Sequence, residues 1–115
     1  MRMWMINPTL LCSKHLLGEH GEIHKHRHNF EKKHKITKRI SPVVQIEPES
    51  MEKRHNALAE EMLARKFNHK SPYTQPDLSY LKNEERFAKA NLGVSVMDLK
   101  SRCPECANRI TSKHI

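Results

Sequence analysis

The chain has 115 residues, 37% of them hydrophobic and 5% aromatic, with a mean hydropathy of −0.80 and a net charge of +8. That supports one modest core and one domain over residues 1–115, and no apolar run is long enough to span a membrane. Three glycines are too few for the many turns of a sandwich or barrel, and three cysteines are an odd number for a disulfide framework. The expectation is therefore an all-α, compact single domain of three or four helices in a reducing, cytoplasmic compartment. The positive charge favours a polyanionic partner, of which nucleic acid is the commonest.

In chain order, Met1–Ile6 reads as an extended arm. Asn7 suits a helix N-cap and Pro8 the first helical position, so one long helix is expected from Pro8 to about His34, with a kink near Gly18 or Gly21. At 100° per residue, Cys12, Leu16, Ile23 and Phe30 make one apolar strip and Leu10 with Leu17 another. Between them lie His15, Gly18, Glu19, Glu22, Lys25 and His26. Two apolar flanks suggest a helix sandwiched between neighbours, with its polar strip as the floor of a cleft. Ile36–Glu49, with two prolines, reads as a connection. The second helix is expected from Ser50 to Phe67, burying Met51, His55, Leu58, Ala59, Met62 and Leu63, and closed by Asn68 and Ser71-Pro72. Tyr73–Pro76 reads as a turn. A weaker helix follows over Asp77–Asn91, with Leu78, Leu81 and Phe87 inward, broken by Gly93. Ser95 and Asp98 suit a cap on a short last helix reaching Arg102, stopped by Cys103-Pro104.

Between His24 and Arg39 stand seven Lys or Arg, four histidines and one acid, Glu31. Such density repels itself unless a polyanion neutralises it, and phosphate contacts give affinity without reading bases. The plain alternative is a solvated helix end.

An α-amino group starts near pKa ~7.7–8.0, so a useful fraction of the Met1 amine is neutral, and nucleophilic, at pH 7. A carboxylate beside it could stabilise a cationic sugar and shuttle protons. Met1 to Asn7 spans at most about 20 Å when extended, and a helix from Pro8 to Glu22 climbs about 21 Å. An arm folded back along the helix could thus bring amine and carboxylate together. Arg2 adds a cation there and, being bulky, should keep the initiator methionine in place.

At these residues the chain resembles the pyrimidine-dimer DNA glycosylase family, the phage enzymes historically called endonuclease V. Arg2 and His15-Leu16-Leu17-Gly18-Glu19-His20-Gly21-Glu22-Ile23 carry the likeness, at the family's distance from the N-terminus. Lys32-Lys33-His34 is similar to a basic triplet further along the same helix, and Lys53 to Asn68 is similar to the family's second long helix. The resemblance covers residues 1–71; 72–115 diverge, and Gly21 stands where the family has a DNA-binding arginine. It implies an all-α fold with the arm inserted between helices, and glycosylase activity coupled to abasic-site lyase activity on double-stranded DNA containing pyrimidine dimers. By position it implies Met1 and Glu22 as catalytic groups and Arg2, His15 and Lys25 on the lesion strand. The basic residues Arg27, Lys32 and Lys33 are expected on phosphates. No cofactor and no metal are implied, and a monomer is expected, in the host cytoplasm if the chain is phage-encoded.

Cys103-Pro104-Glu105-Cys106 has the spacing of half a zinc site, but the other two ligands are not evident; His114, His24, His26 and His28 are the candidates in reach. Cys12 reads as a core residue. The rival function is a non-catalytic, basic DNA-binding protein, with zinc as an optional stabiliser; a third is a glycosylase for another modified base. Trapping with borohydride separates enzyme from binding module.

Overall fold

The computed structural model describes residues 3–41, 43–68 and 72–112, and every regular element among them is helical. The elements are α1 (Ser13–Glu31), α2 (Thr37–Ile40), α3 (Met51–Ala64), α4 (Asn83–Arg86), α5 (Leu92–Arg102) and α6 (Pro104–Ser112), with 3-10 turns at Pro8–Leu10 and Pro48–Ser50. None of these helices is long and apolar enough to cross a membrane.

The all-α class is as expected, but the first helix is not one piece. Asn7 does cap, accepting from the Thr9 N–H at 3.1 Å, yet it caps only the 3-10 turn, and α1 starts afresh after Cys12. The reason lies in two arginines. Arg65, just past α3, donates to the Pro8 and Leu11 carbonyls at 3.2 and 2.6 Å, and Arg109 of α6 donates twice to the Thr9 carbonyl. Carbonyls that a continuous helix would use internally are held by guanidinium groups, which favours an interruption there. From Ser13 onward α1 runs uninterrupted through Gly18 and Gly21.

Both long helices end earlier than the pattern suggests, and by one device. Lys33 and Lys66 sit at φ 57° and 67°. The next N–H reaches back five residues in each case: His34 to the Asn29 carbonyl and Phe67 to the Met62 carbonyl, both at 2.9 Å. This is a Schellman closure with lysine in the left-handed position usually given to glycine.

The core is built by the arm, one strip of α1, one face of α3 and the C-terminal pair. Met3, Trp4, Ile6 and Leu11 are buried against Leu16, Ile23 and Phe30 of α1, Met51, Leu58 and Met62 of α3, and Leu99, Cys106 and Ile110 of α5 and α6. The arm is tied by the Met3 N–H to the Gln45 carbonyl at 2.7 Å. The second apolar strip expected on α1 is not covered: Leu17 is exposed and Leu10 only half-buried. Leu63 and Phe87 are likewise exposed rather than inward.

Asp77–Asn91 is mostly irregular, with α4 its only helix. Side chains hold its backbone instead: Asp77 accepts from the Ser79 N–H, Tyr80 donates to the His34 carbonyl, and buried Glu47 accepts from the Ala90 N–H at 2.7 Å. Gly93 lies inside α5, which Asn91 caps at the Val94 N–H; Pro104 opens α6 rather than ending the chain's helices.

Across the α1–α3 interface, Arg54 grips Glu19 with a two-pronged contact, Nε to Oε2 at 2.5 Å and NH2 to Oε1 at 2.9 Å, and both side chains are buried. Removing one member leaves an uncompensated charge. Arg54→Ala should cost about 3–5 kcal/mol in urea unfolding, whereas Glu19→Leu combined with Arg54→Met should recover most of that loss. A single variant as stable as wild type would mean that the fork does not hold the helices together.

Candidate active site

The first polar turns of α1 lie against a cleft, with Glu19 buried, His15 and Glu22 half-buried and Lys14 and Gly18 exposed. Trp4 from the arm, Lys14, His15, Gly18, Glu19 and Glu22 from α1, and Arg102 from the end of α5 line a concavity of about 260 Å³. Residues 15, 18, 19 and 22 share a helix face because they are three and four apart. The arm and the C-terminal segment supply the opposing walls. The first four residues of the polar strip thus floor a cleft, whereas Lys25, exposed, and His26, buried, lie outside its lining.

Two carboxylates face this space, and their partners differ. Both Glu19 oxygens are taken by Arg54. Glu22 Oε2 is buried and has no hydrogen-bond partner among the described residues. A desolvated carboxylate oxygen without a partner is costly, so it marks a place where something other than stability is served. Of the two acids, Glu22 is the one with an oxygen left unpartnered among the described residues.

His15 stands edge-on to Trp4, with ring centroids 6.0 Å apart. Burial, and then the nearby Lys14 charge, lowers its pKa below the ordinary histidine value, so the ring is neutral at pH 7. Its Nδ1 faces sulfur on both sides, Cys12 Sγ at 3.2 Å and Cys106 Sγ at 3.6 Å. One turn beyond Glu22, His26 is buried with neither ring nitrogen paired among the described residues. Burial, with Arg39 and Lys25 adding to it, lowers its pKa to about 4. Neutral imidazole there adds no charge to the turn that follows Glu22.

On the other side of α1, the Nε2 atoms of His20 and His24 each lie 3.1 Å from Nε2 of His55. His55 Nδ1 faces Asn56 Oδ1 at 3.1 Å and its ring stacks on Tyr73. With its proton on Nδ1, His55 Nε2 becomes the acceptor on which the other two converge. The triad is a polar joint between α1 and α3. Among the described residues, two sets of side chains bring enough donors together to hold a metal ion: this one, and Cys12, His15, Cys103 and Cys106.

Met1 and Arg2 lie outside the described residues, as does His114, while Glu22 and His15 lie in the cleft. Lys25, Lys32 and Lys33 are exposed along the rest of α1 and its closing turn. Arg27 is half-buried: its Nε donates to the Thr74 carbonyl at 2.7 Å and its other end pairs with Glu31. Sequence reasoning missed Trp4 and Arg102 as members of the site. Neither has a motif; the fold alone brings residue 102 beside residue 22. It also missed Cys12 and His15 as partners of the C-terminal cysteines.

Residues 1–75 match the family described as pyrimidine dimer DNA glycosylase. The chain belongs to that family. The match covers the arm, α1, α3 and the segment through Gln75, and so includes every residue of the cleft except Arg102. It places the protein among DNA repair glycosylases and bears out the resemblance carried by the His15–Ile23 segment. No curated protein and no solved structure matches the chain.

His26 gives the cleft a measurable pH signature. Below about pH 6.5 the unfolded chain takes up a proton that the native ring refuses until about pH 4. Native stability should therefore fall by about 3 kcal/mol over that interval and show no further loss from this group below it. In His26→Met this component should vanish. Thermal melts at pH 7 and about pH 4.5 compare the two proteins; an unchanged pH dependence in the variant would remove His26 from the account.

Proposed function

We propose that this family member excises pyrimidine dimers from double-stranded DNA by a glycosylase reaction coupled to strand cleavage at the resulting abasic site. The Met1 α-amine is the nucleophile and Glu22 the essential carboxylate. The observation that carries the reading is the buried Glu22 oxygen, unpartnered among the described residues, on a cleft wall shared with Trp4 of the N-terminal arm. From Trp4, which lines the cleft, three extended residues can reach about 10 Å.

The chemistry follows from those two groups. The neutral amine attacks C1′ of the lesion nucleotide as the glycosidic bond breaks, and the base leaves with the bonding electrons. Loss of the ring oxygen's bond to C1′ leaves an iminium ion. Removal of a C2′ proton then expels the 3′ phosphate, cutting the strand. Glu22, with no cation of the described residues on its buried oxygen, is suited to stabilise the developing positive charge at C1′ and to relay protons. Glu19 cannot share the task, because Arg54 holds it. His15 is neutral and suits a hydrogen-bonding contact to the lesion strand rather than a charge. Exposed Lys25, Lys32 and Lys33 suit phosphates, as Arg2 would next to the nucleophile. Arg27 acts at one remove, holding the Thr74 segment against α1. The target base must leave the stack for C1′ to be reached.

Glu22→Gln should lower base release about 10²–10⁴-fold while leaving affinity for damaged duplex within a few-fold. One extra residue ahead of Met1 should depress turnover comparably. Borohydride should trap a covalent adduct with abasic DNA in the untagged protein. If the extended and native chains turn over alike, the nucleophile is a lysine such as Lys14 or Lys25. Ultraviolet-damaged DNA set against duplexes with other modified bases fixes the substrate.

Arg102 offers a second check. Arg102→Ala should weaken binding uniformly across sequences and reduce the salt slope by about one. An unchanged slope would place the duplex elsewhere.

A further inference from the structure

The four residues gathered at the start of α1 form a set with its own chemistry. Cys12 is the N-cap of α1 and His15 lies three residues on; Cys103 immediately precedes α6 and Cys106 lies three residues on. Two helix starts, remote in sequence, each offer a pair of ligands with the same spacing. The four donor atoms all lie within 4.8 Å of one another.

Two of their separations equal the edges of a zinc tetrahedron and a third is about 0.4 Å shorter. With Zn–S about 2.3 Å and Zn–N about 2.0–2.1 Å, tetrahedral angles demand about 3.8 Å between sulfurs and about 3.6 Å between sulfur and nitrogen. Cys12 Sγ and Cys103 Sγ are 3.8 Å apart, Cys106 Sγ and His15 Nδ1 are 3.6 Å apart, and Cys12 Sγ and His15 Nδ1 are 3.2 Å apart. The sulfurs also receive backbone donors: the Cys12 N–H reaches Cys106 Sγ at 3.2 Å, and the Cys106 N–H reaches Cys103 Sγ at 3.4 Å. Such donors offset the charge of bound thiolates, as outer-sphere hydrogen bonds at metal sites do. Two helix N-termini aimed at one point favour the same negative charge.

We propose that Cys12, His15, Cys103 and Cys106 bind one structural zinc ion that staples α5 and α6 to the start of the helix carrying Glu22. Three thiolates and an imidazole favour zinc over magnesium or calcium, which prefer oxygen. Four protein ligands leave no open coordination position, so the ion holds structure and takes no part in base excision. On binding, each of the three thiols releases its proton to solvent and the metal takes the lone pairs. His15 would be held through Nδ1, leaving Nε2 as the free nitrogen of a ring on the cleft wall. The site departs from the expectation of no metal, which looks for the missing ligands among distant histidines. The nearer signal is Cys12-Ser13-Lys14-His15, a second i, i+3 pair at a helix start.

The experiment is a titration of the reduced, metal-free full-length chain with Co²⁺ under anaerobic conditions. Thiolate-to-cobalt charge-transfer absorption and strong tetrahedral d–d bands should appear, saturate at one equivalent, and be bleached by one equivalent of Zn²⁺. Zinc should protect all three thiols from a thiol reagent and raise Tm by roughly 10 °C. Cys103→Ser with Cys106→Ser should lose the charge-transfer band; if that variant does not fold, the wild-type titration still decides. Cobalt bound without thiolate absorption would assign it to the histidine triad and overturn the proposal. So would thiols that react equally fast with and without zinc, or a native protein holding two of the cysteines as a disulfide.

Discussion

The bidentate contact between Glu19 and Arg54 fixes how the two long helices lie against each other, and the chemistry depends on that setting. A planar guanidinium meeting a planar carboxylate allows little rotation of α1 about its axis. With Glu19 turned to α3, helical geometry sends His20 and His24 toward His55, and Leu16, Ile23 and Phe30 into the core. Glu22, three residues on, is left facing the cleft with one oxygen that no described residue meets. A neutral pair at the fork would serve cohesion nearly as well, and replacing such forks with apolar residues often costs nothing. What the fork adds is a removal of ambiguity: of two acids on adjacent turns, one is paired with Arg54 and the other keeps an oxygen without a partner among the described residues.

The polar residues of α1 divide along the same line. Those facing α3 have partners inside the protein, through the fork and the histidine triad. Glu22 in the cleft and His26 one turn on are left short: among the described residues, Glu22 has an unpaired oxygen and His26 two unpaired nitrogens, all desolvated. A small domain with a core this economical has little surplus stability for such groups. Their concentration on one face, beside an arm tryptophan and the arginine at the end of α5, is the pattern of a site rather than of careless packing.

How much of this can be read from the letters depends on range. The buried strip of α1, the face of α3 apart from exposed Leu63, and the membership of Glu22 in a polar groove follow from a 3.6-residue period and stand in the structure. The break at Leu11 is not legible, since Arg65 and Arg109 cause it from 54 and 100 residues away. The lysine-closed helix ends escape notice because glycine is the residue expected there. Periodicity places Phe87 inward, but its segment is held by side-chain hydrogen bonds, so no helical face exists to bury it.

The C-terminal third bears on how such a small enzyme can hold its cleft. The family match ends at residue 75, yet the fold makes the remainder integral to the domain. α5 and α6 bury Leu99, Cys106 and Ile110 in the common core, Arg109 clamps the turn that leads from the arm into α1, and Arg102 closes the cleft opposite Glu22. The arm must lie still if anything near its beginning is to be placed within bonding distance of a sugar, for misplacement by an ångström is expensive in rate. Anchoring only through α3 would leave the turn at Pro8–Leu10 free to pivot about Arg65. A second anchor from α6, on the Thr9 carbonyl, removes that freedom. In a chain with few aromatics, polar clamps on backbone carbonyls hold what a larger core would otherwise hold.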